Sequence, residues 1–176
     1  MANKYCFYTG IFGGYDQLSA CPEIHGYDFI IFSDVPIEVQ TPWLNIVVNL
    51  GSMNNVMKNR YIKMHPHIFL QDYECSVYLD GNVSPKENFK RIVDSFYDVD
   101  VVFFRHPERK SIRQEVIAAA QLSKISRREF NRSLIELKRF ISEGFVDNLL
   151  IEANVIIRRH KNTAVIKMME NWWDLF

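Results

Sequence analysis

A chain of 176 residues, 48% hydrophobic and 14% aromatic, is sized for one domain, and at that length folding buries roughly 70% of the surface an unfolded chain exposes. Lysine plus arginine and aspartate plus glutamate both number 21, a balance that argues against nucleic acid and against membrane surfaces as partners. The cysteines Cys6, Cys21 and Cys75 are odd in number and lack metal spacing, which suits reduced thiols. With no secretory signal at Met1-Ala2-Asn3-Lys4 and no transmembrane run, the expectation is a cytoplasmic protein that is not membrane-embedded.

In chain order, Tyr5-Cys6-Phe7-Tyr8 reads as a buried strand leading into the glycine-rich corner Thr9-Gly10-Ile11-Phe12-Gly13-Gly14-Tyr15-Asp16. Tyr27–Phe32 reads as a second strand ending at Ser33-Asp34, and Leu44 to Leu50 as a third. Asn54 is placed to cap a helix through Met64, with Val56 or Met57, Tyr61 and Met64 on an apolar face and Asn59, Arg60 and Lys63 on a polar one. Pro66 ends or bends it.

Strand Cys75–Leu79 meets the corner Asp80-Gly81-Asn82, and Ser84-Pro85-Lys86-Glu87 predicts a capped helix over Pro85–Tyr97. Asp100–Phe104 is the next strand. Ser111-x-x-Gln114 and Ser126-x-x-Glu129 predict helices to about Leu122 and about Ser142, the second with Phe130, Leu134, Leu137 and Ile141 as a stripe for core packing and Gly144 as its stop. Ile151–Ile157 is the last strand and Thr163–Trp173 the terminal helix. Strands alternating with helices predict an α/β fold with a mostly parallel sheet.

Candidate chemistry gathers at strand ends. An acid and an amide spaced i, i+2, as Asp80 and Asn82 are, can face one hard cation such as Mg²⁺ or Mn²⁺, though strand-Asp-Gly-Asn-helix is also an ordinary turn. The corner Gly10-Ile11-Phe12-Gly13-Gly14 is neither a dinucleotide fingerprint nor a P-loop, but a tight loop against a base or ribose fits it, with Thr9 and Tyr15 as donors. Asp34 at the end of the second strand is a candidate ribose or base contact, or a solvated turn residue. Arg60 and Lys63 share a helix face and offer charge to a diphosphate.

Two further places stand out in the second half. Arg105-His106-Pro107-Glu108-Arg109 follows an all-apolar strand, and His106 and Arg109 with Glu115 are candidates for sugar hydroxyls or a phosphate. Glu152 and Asn154 alternate within an otherwise apolar strand and so share one face, where an acid and an amide are costly unless partnered or useful.

With those residues in view, the chain resembles a family of bacterial and eukaryotic proteins known as a domain of unknown function and regarded as glycosyltransferases of the GT-A fold. The matching stretches are Tyr8 to Asp16, Phe32-Ser33-Asp34, Lys58 to Pro66, Tyr78-Leu79-Asp80-Gly81-Asn82, Arg105 to Arg109 and Glu152 to Arg158, in order along nearly the whole chain. The resemblance implies a single GT-A-like, Rossmann-like domain over residues 1–176, its mostly parallel central sheet flanked by helices. It implies a nucleotide-diphosphate-sugar donor, a glycan or other small acceptor, and Mn²⁺ or Mg²⁺ at an Asp-x-Asp-like motif.

In that scheme Asp80 is the principal metal ligand and catalytic carboxylate, with Asn82 a neutral oxygen where the family pattern has a second acid. Thr9, Gly10, Tyr15, Asp34, Arg60 and Lys63 hold the donor, while His106, Arg109, Glu115 and Asn154 shape the sugar and acceptor end. Glu152 is the one carboxylate named as a base for an inverting reaction. The chain stops at Trp172-Trp173-Asp174-Leu175-Phe176, where GT-A enzymes continue, so the expected domain is C-terminally short. Two alternatives stand beside this reading. A haloacid-dehalogenase-type phosphatase needs a nucleophilic Asp where Tyr78 stands, and fails on that residue. A catalytically idle nucleotide-sugar or glycan-binding module stays open.

Overall fold

The structure, a computed structural model, describes residues 4–14, 18, 20–96 and 98–176. The elements are β1 (Tyr5–Gly10), β2 (Tyr27–Ser33), β3 (Trp43–Val47), α1 (Asn55–Met64), α2 (Pro66–Phe69), β4 (Cys75–Leu79), α3 (Phe89–Ser95), β5 (Val101–Arg105), α4 (Ile112–Gln121), α5 (Arg127–Ser142), β6 (Ile151–Arg158) and α6 (Thr163–Trp173). The strands lie in the order β3-β2-β1-β4-β6-β5.

β1 runs parallel to both β2 and β4, and β2 to β3, but β6 pairs antiparallel with β4, Leu79 opposite Val155 and Ser76 opposite Arg158. The sheet is therefore mixed, and the expected GT-A-like, Rossmann-like, mostly parallel sheet is corrected on that finding. An apolar strand has the same pattern read in either direction, so its sense is invisible in the sequence. Two helices, α4 and α5, precede β6 where a parallel βαβ unit has one crossover helix.

The chain forms two compact units, Met1–Val102 with Asn154–Phe176, and Phe103–Ala153. In the first, alternation along β1 sends Phe7 to one face and Tyr8 to the other. Phe7 stacks on Phe29 at 4.9 Å between ring centroids and meets Phe89 of α3 at 5.9 Å. On the opposite face Tyr8 meets Tyr78 edge-on at 5.4 Å, and α1 and α6 pack there, Tyr61 against Trp173 at 5.3 Å. Phe7, Tyr8, Ile31, Val77, Tyr78 and Ile156 are fully buried, and side chains of this size contribute about 1.5–3 kcal/mol each on burial.

Local signals hold at several ends. Asn54 caps α1 by accepting from the Met57 N–H at 2.9 Å, Ser126 and Glu129 form a reciprocal capping box on α5, and Gly144 ends that helix at φ +99°. Others differ. Ser84-Pro85-Lys86-Glu87 starts no helix: the Val83 N–H returns to the Asp80 carbonyl at 2.8 Å, the Ser84 hydroxyl donates to Ala20 O at 3.1 Å, and α3 begins at Phe89.

The second unit contains the α4 and α5 helices. Of the stripe Phe130, Leu134, Leu137 and Ile141, only Leu137 is buried, and Ile141 stands exposed, so the expected core stripe is mostly surface. Among the described residues no helix is long and apolar enough to cross a membrane.

Candidate functional site

The carboxyl ends of β1 and β4 lie side by side because the two strands are parallel neighbours, and α1 is fastened to both. Asn59 donates to the Gly10 carbonyl at 2.7 Å and accepts from the Tyr78 hydroxyl at 3.3 Å. At the glycine-rich corner, Gly13 takes φ +66°, and a Cβ there would stand 1.9 Å from the Asn55 side-chain nitrogen. The positive φ favours glycine there, and a Cβ would push the exposed Asn55 amide aside.

Lys58 reaches from α1 to Asp34 at 2.8 Å. This bond and the Gly13 backbone N–H hold the Asp34 carboxyl below the usual carboxylate range. Asp34 is therefore tied to α1 through Lys58.

Between the loop, α1 and the Asp80 corner lies a cavity of about 590 Å³, lined by Gly10, Phe12, Gly13, Arg60, Asp80 and Asn82 among others. That is the size of ordinary small-ligand sites. Cavities of about 560 and 410 Å³ elsewhere in the unit have no lysine or arginine in their walls. Arg60 forms no ion pair among the described residues, its guanidinium lying 4.2 Å from the centroid of the Phe176 ring. It thus lines the same cavity as the Asp80 carboxylate without an ion pair among the described residues.

Lys63 stands behind Asp80, its Nζ 3.3 Å from Oδ1, with 13% of its side chain exposed against 40% for Asp80. Burial pulls the Lys63 ammonium below the usual lysine range, and Asp80 opposes that pull. Beneath it Arg158, fully buried, donates to the Tyr8 hydroxyl and to the Lys63 carbonyl, and reaches Met169 Sδ at 2.9 Å. Arg158 has no ion pair among the described residues; its charge faces one of the last carbonyls of α1, the negative end of the helix dipole.

The sequence-derived site residues divide accordingly. Gly10, Arg60, Asp80 and Asn82 share the cavity. The Asn154 carbonyl accepts from the Asp80 N–H at 2.8 Å, so Asn154 touches the corner through its backbone. Thr9 is fully buried, its hydroxyl without a partner among the described residues, and alternation with Tyr8 sends it to the face away from α1, so it is corrected to a core position. Tyr15 lies outside the described residues.

Glu152, His106, Arg109 and Glu115 belong to the second unit. There Arg109 binds Glu115 through Nε and sits 2.6 Å from His106 Nε2, while His106 Nδ1 accepts from the N–H groups of Glu108 and Arg109 at 3.1 and 3.0 Å. The cluster folds its own loop.

Sequence reasoning missed Asn59 and Lys58 and placed Lys63 on an outward polar face. The legible signal was the spacing Asn59, Ile62, Lys63, which puts the fully buried Ile62 on one helical face with two polar residues.

Asp80 and Asn82 are the side chains that would face a divalent cation at this corner. Asp80 offers one charged oxygen set and Asn82 a neutral one, and among the described residues no group of three or more His, Cys, Asp or Glu is placed to hold a metal. At an effective dielectric of about 20, a divalent ion gains roughly 15 kcal/mol against one carboxylate at about 2 Å and loses roughly 8 to an ammonium at about 4 Å. Half of the attraction is thus cancelled by Lys63, while Mg²⁺ gives up its water reluctantly. Without phosphate oxygens beside them, these residues do not make up a divalent-cation site. Comparison of the chain with protein-family models, with curated proteins and with solved structures found no match.

Proposed function

We propose that the cavity between the glycine-rich loop, α1 and Asp80 takes the diphosphate of a nucleotide-diphosphate-sugar, and that the protein is a glycosyltransferase passing the sugar to a hydroxyl of a glycan or other small acceptor. The observation that carries this reading is Arg60, a guanidinium with no ion pair among the described residues, on a cavity of about 590 Å³ whose carboxylate among those residues, Asp80, is engaged by Lys63. Such a site is electropositive, and a guanidinium matches phosphate oxygens bidentately.

In the transfer, the acceptor oxygen bonds to the sugar's anomeric carbon as the bond to the diphosphate oxygen breaks. The electron pair leaves with the nucleoside diphosphate, and Arg60 stabilises the charge that develops there. The acceptor's proton needs a base; the assignment of Glu152 to that role, and of His106, Arg109, Glu115 and Asn154 to the sugar and acceptor, rests on the sequence alone. One observation favours the idle binding module as second reading: the carboxylate on the cavity is engaged by Lys63.

A thermal-unfolding screen against nucleotide sugars tests the proposal. A true donor at a hundredfold excess over its dissociation constant stabilises by about 2.7 kcal/mol, and Arg60→Gln should weaken it about tenfold or more without lowering the ligand-free melting temperature. No shift with any nucleotide sugar sinks the reading. Binding without release of nucleoside diphosphate, in the presence of candidate acceptors, points to the idle module.

A further inference from the structure

We infer that Lys63 occupies the place of a divalent cation at Asp80, so that the site takes up a diphosphate without metal; this deepens the nucleotide-diphosphate reading and rests on it. Lys63 is built in rather than free to swing aside. Its Nζ lies 4.6 Å from the centroid of the Tyr78 ring, Tyr78 is held by Asn59, and the Lys63 carbonyl is fixed by the Tyr8 hydroxyl at 3.1 Å and by Arg158.

Charge makes the same point. Lys58 is offset by Asp34, which among the described residues of the site leaves Arg60, Lys63 and the buried Arg158 against the carboxylate of Asp80. A diphosphate carries the opposite charge and relieves that excess, whereas a divalent cation adds to it. Asp80 then serves to hold Lys63 directly behind the cavity lining, and Asn82, on that lining, donates or accepts toward the ligand with its amide.

The inference makes opposite predictions from metal ligation for one conservative change. With the full chain and inorganic pyrophosphate as probe, titration calorimetry is run in EDTA and again in MnCl₂ at matched free pyrophosphate. The native chain should bind in EDTA, with an affinity that Mn²⁺ changes by less than about threefold. Asp80→Asn should tighten binding in EDTA by about threefold or more, because a competing negative charge is gone and the ammonium is released. Lys63→Met should weaken it about tenfold in EDTA, and Mn²⁺ should restore it through the vacated carboxylate.

Binding by the native chain only with Mn²⁺, or loss of binding in Asp80→Asn, overturns the inference and leaves the diphosphate reading standing. Failure of the folded native chain to bind pyrophosphate in either buffer overturns both. If Lys63→Met does not fold, Asp80→Asn decides alone, since the two roles give it opposite signs.

Discussion

The side-chain nitrogen of Asn59 lies 2.7 Å from the Gly10 carbonyl, so a residue in the middle of α1 holds the end of β1, while its oxygen accepts from Tyr78 at the end of β4. The cavity wall is fastened by this one amide. Asn59→Leu takes the side-chain donor from the buried Gly10 carbonyl and one of two partners from the Tyr78 hydroxyl, which Asp80 also engages, and urea unfolding should show a loss of about 1–3 kcal/mol. A change of a few tenths would mean that water replaces the amide at both positions.

Gly13 and Gly14 separate backbone strain from crowding. Both have positive φ, +66° and +67°, but a Cβ on Gly14 meets nothing within 4 Å, whereas one on Gly13 meets Asn55. Gly14→Ala should cost about 1 kcal/mol, the usual expense of a left-handed residue. Gly13→Ala should cost about 0.5–1 kcal/mol more, the expense of turning the exposed Asn55 amide aside, and removing the Asn55 side chain in the same molecule should recover that excess. Equal costs for the two alanines would refute the close approach of loop and helix.

His160 makes stability depend on pH. It is 1% exposed, its Nε2 bonds to the Leu70 carbonyl at 2.9 Å, and burial, reinforced by the charges of Arg158, Lys161 and His67, lowers its pKa from 6.5 to about 4. Above pH 6.5 the imidazole is neutral in both states and stability is intact. As pH falls from there toward 4 the unfolded chain takes up a proton that the folded chain refuses, a loss on the order of 3 kcal/mol in all. His67, also lowered by burial, acts in the same sense. Urea titrations at stepped pH should show this decline, and His160→Gln should flatten it; an unchanged slope in that variant would assign the decline to other groups.

The sequence by itself determined what short-range chemistry controls. The buried strand of Tyr5 to Tyr8, the Asn54 cap, the Ser126–Glu129 box and the Gly144 stop depend on residues a few positions apart, and each forms as the residue types dictate. Gly10, Arg60, Asp80 and Asn82 were legible as neighbours because strand ends and the helix after them collect at one edge of a sheet. Only the tertiary structure decided which partner each polar group takes. Asp34 goes to Lys58, Asp80 to Lys63 and Ser84 to Ala20, because hydrogen bonds and ion pairs are set by approach in space over sequence separations of 24, 17 and 64 residues. The sense of β6 was decided in the same way, since an apolar run carries no direction and the antiparallel pairing with β4 exists only once the sheet has closed around it.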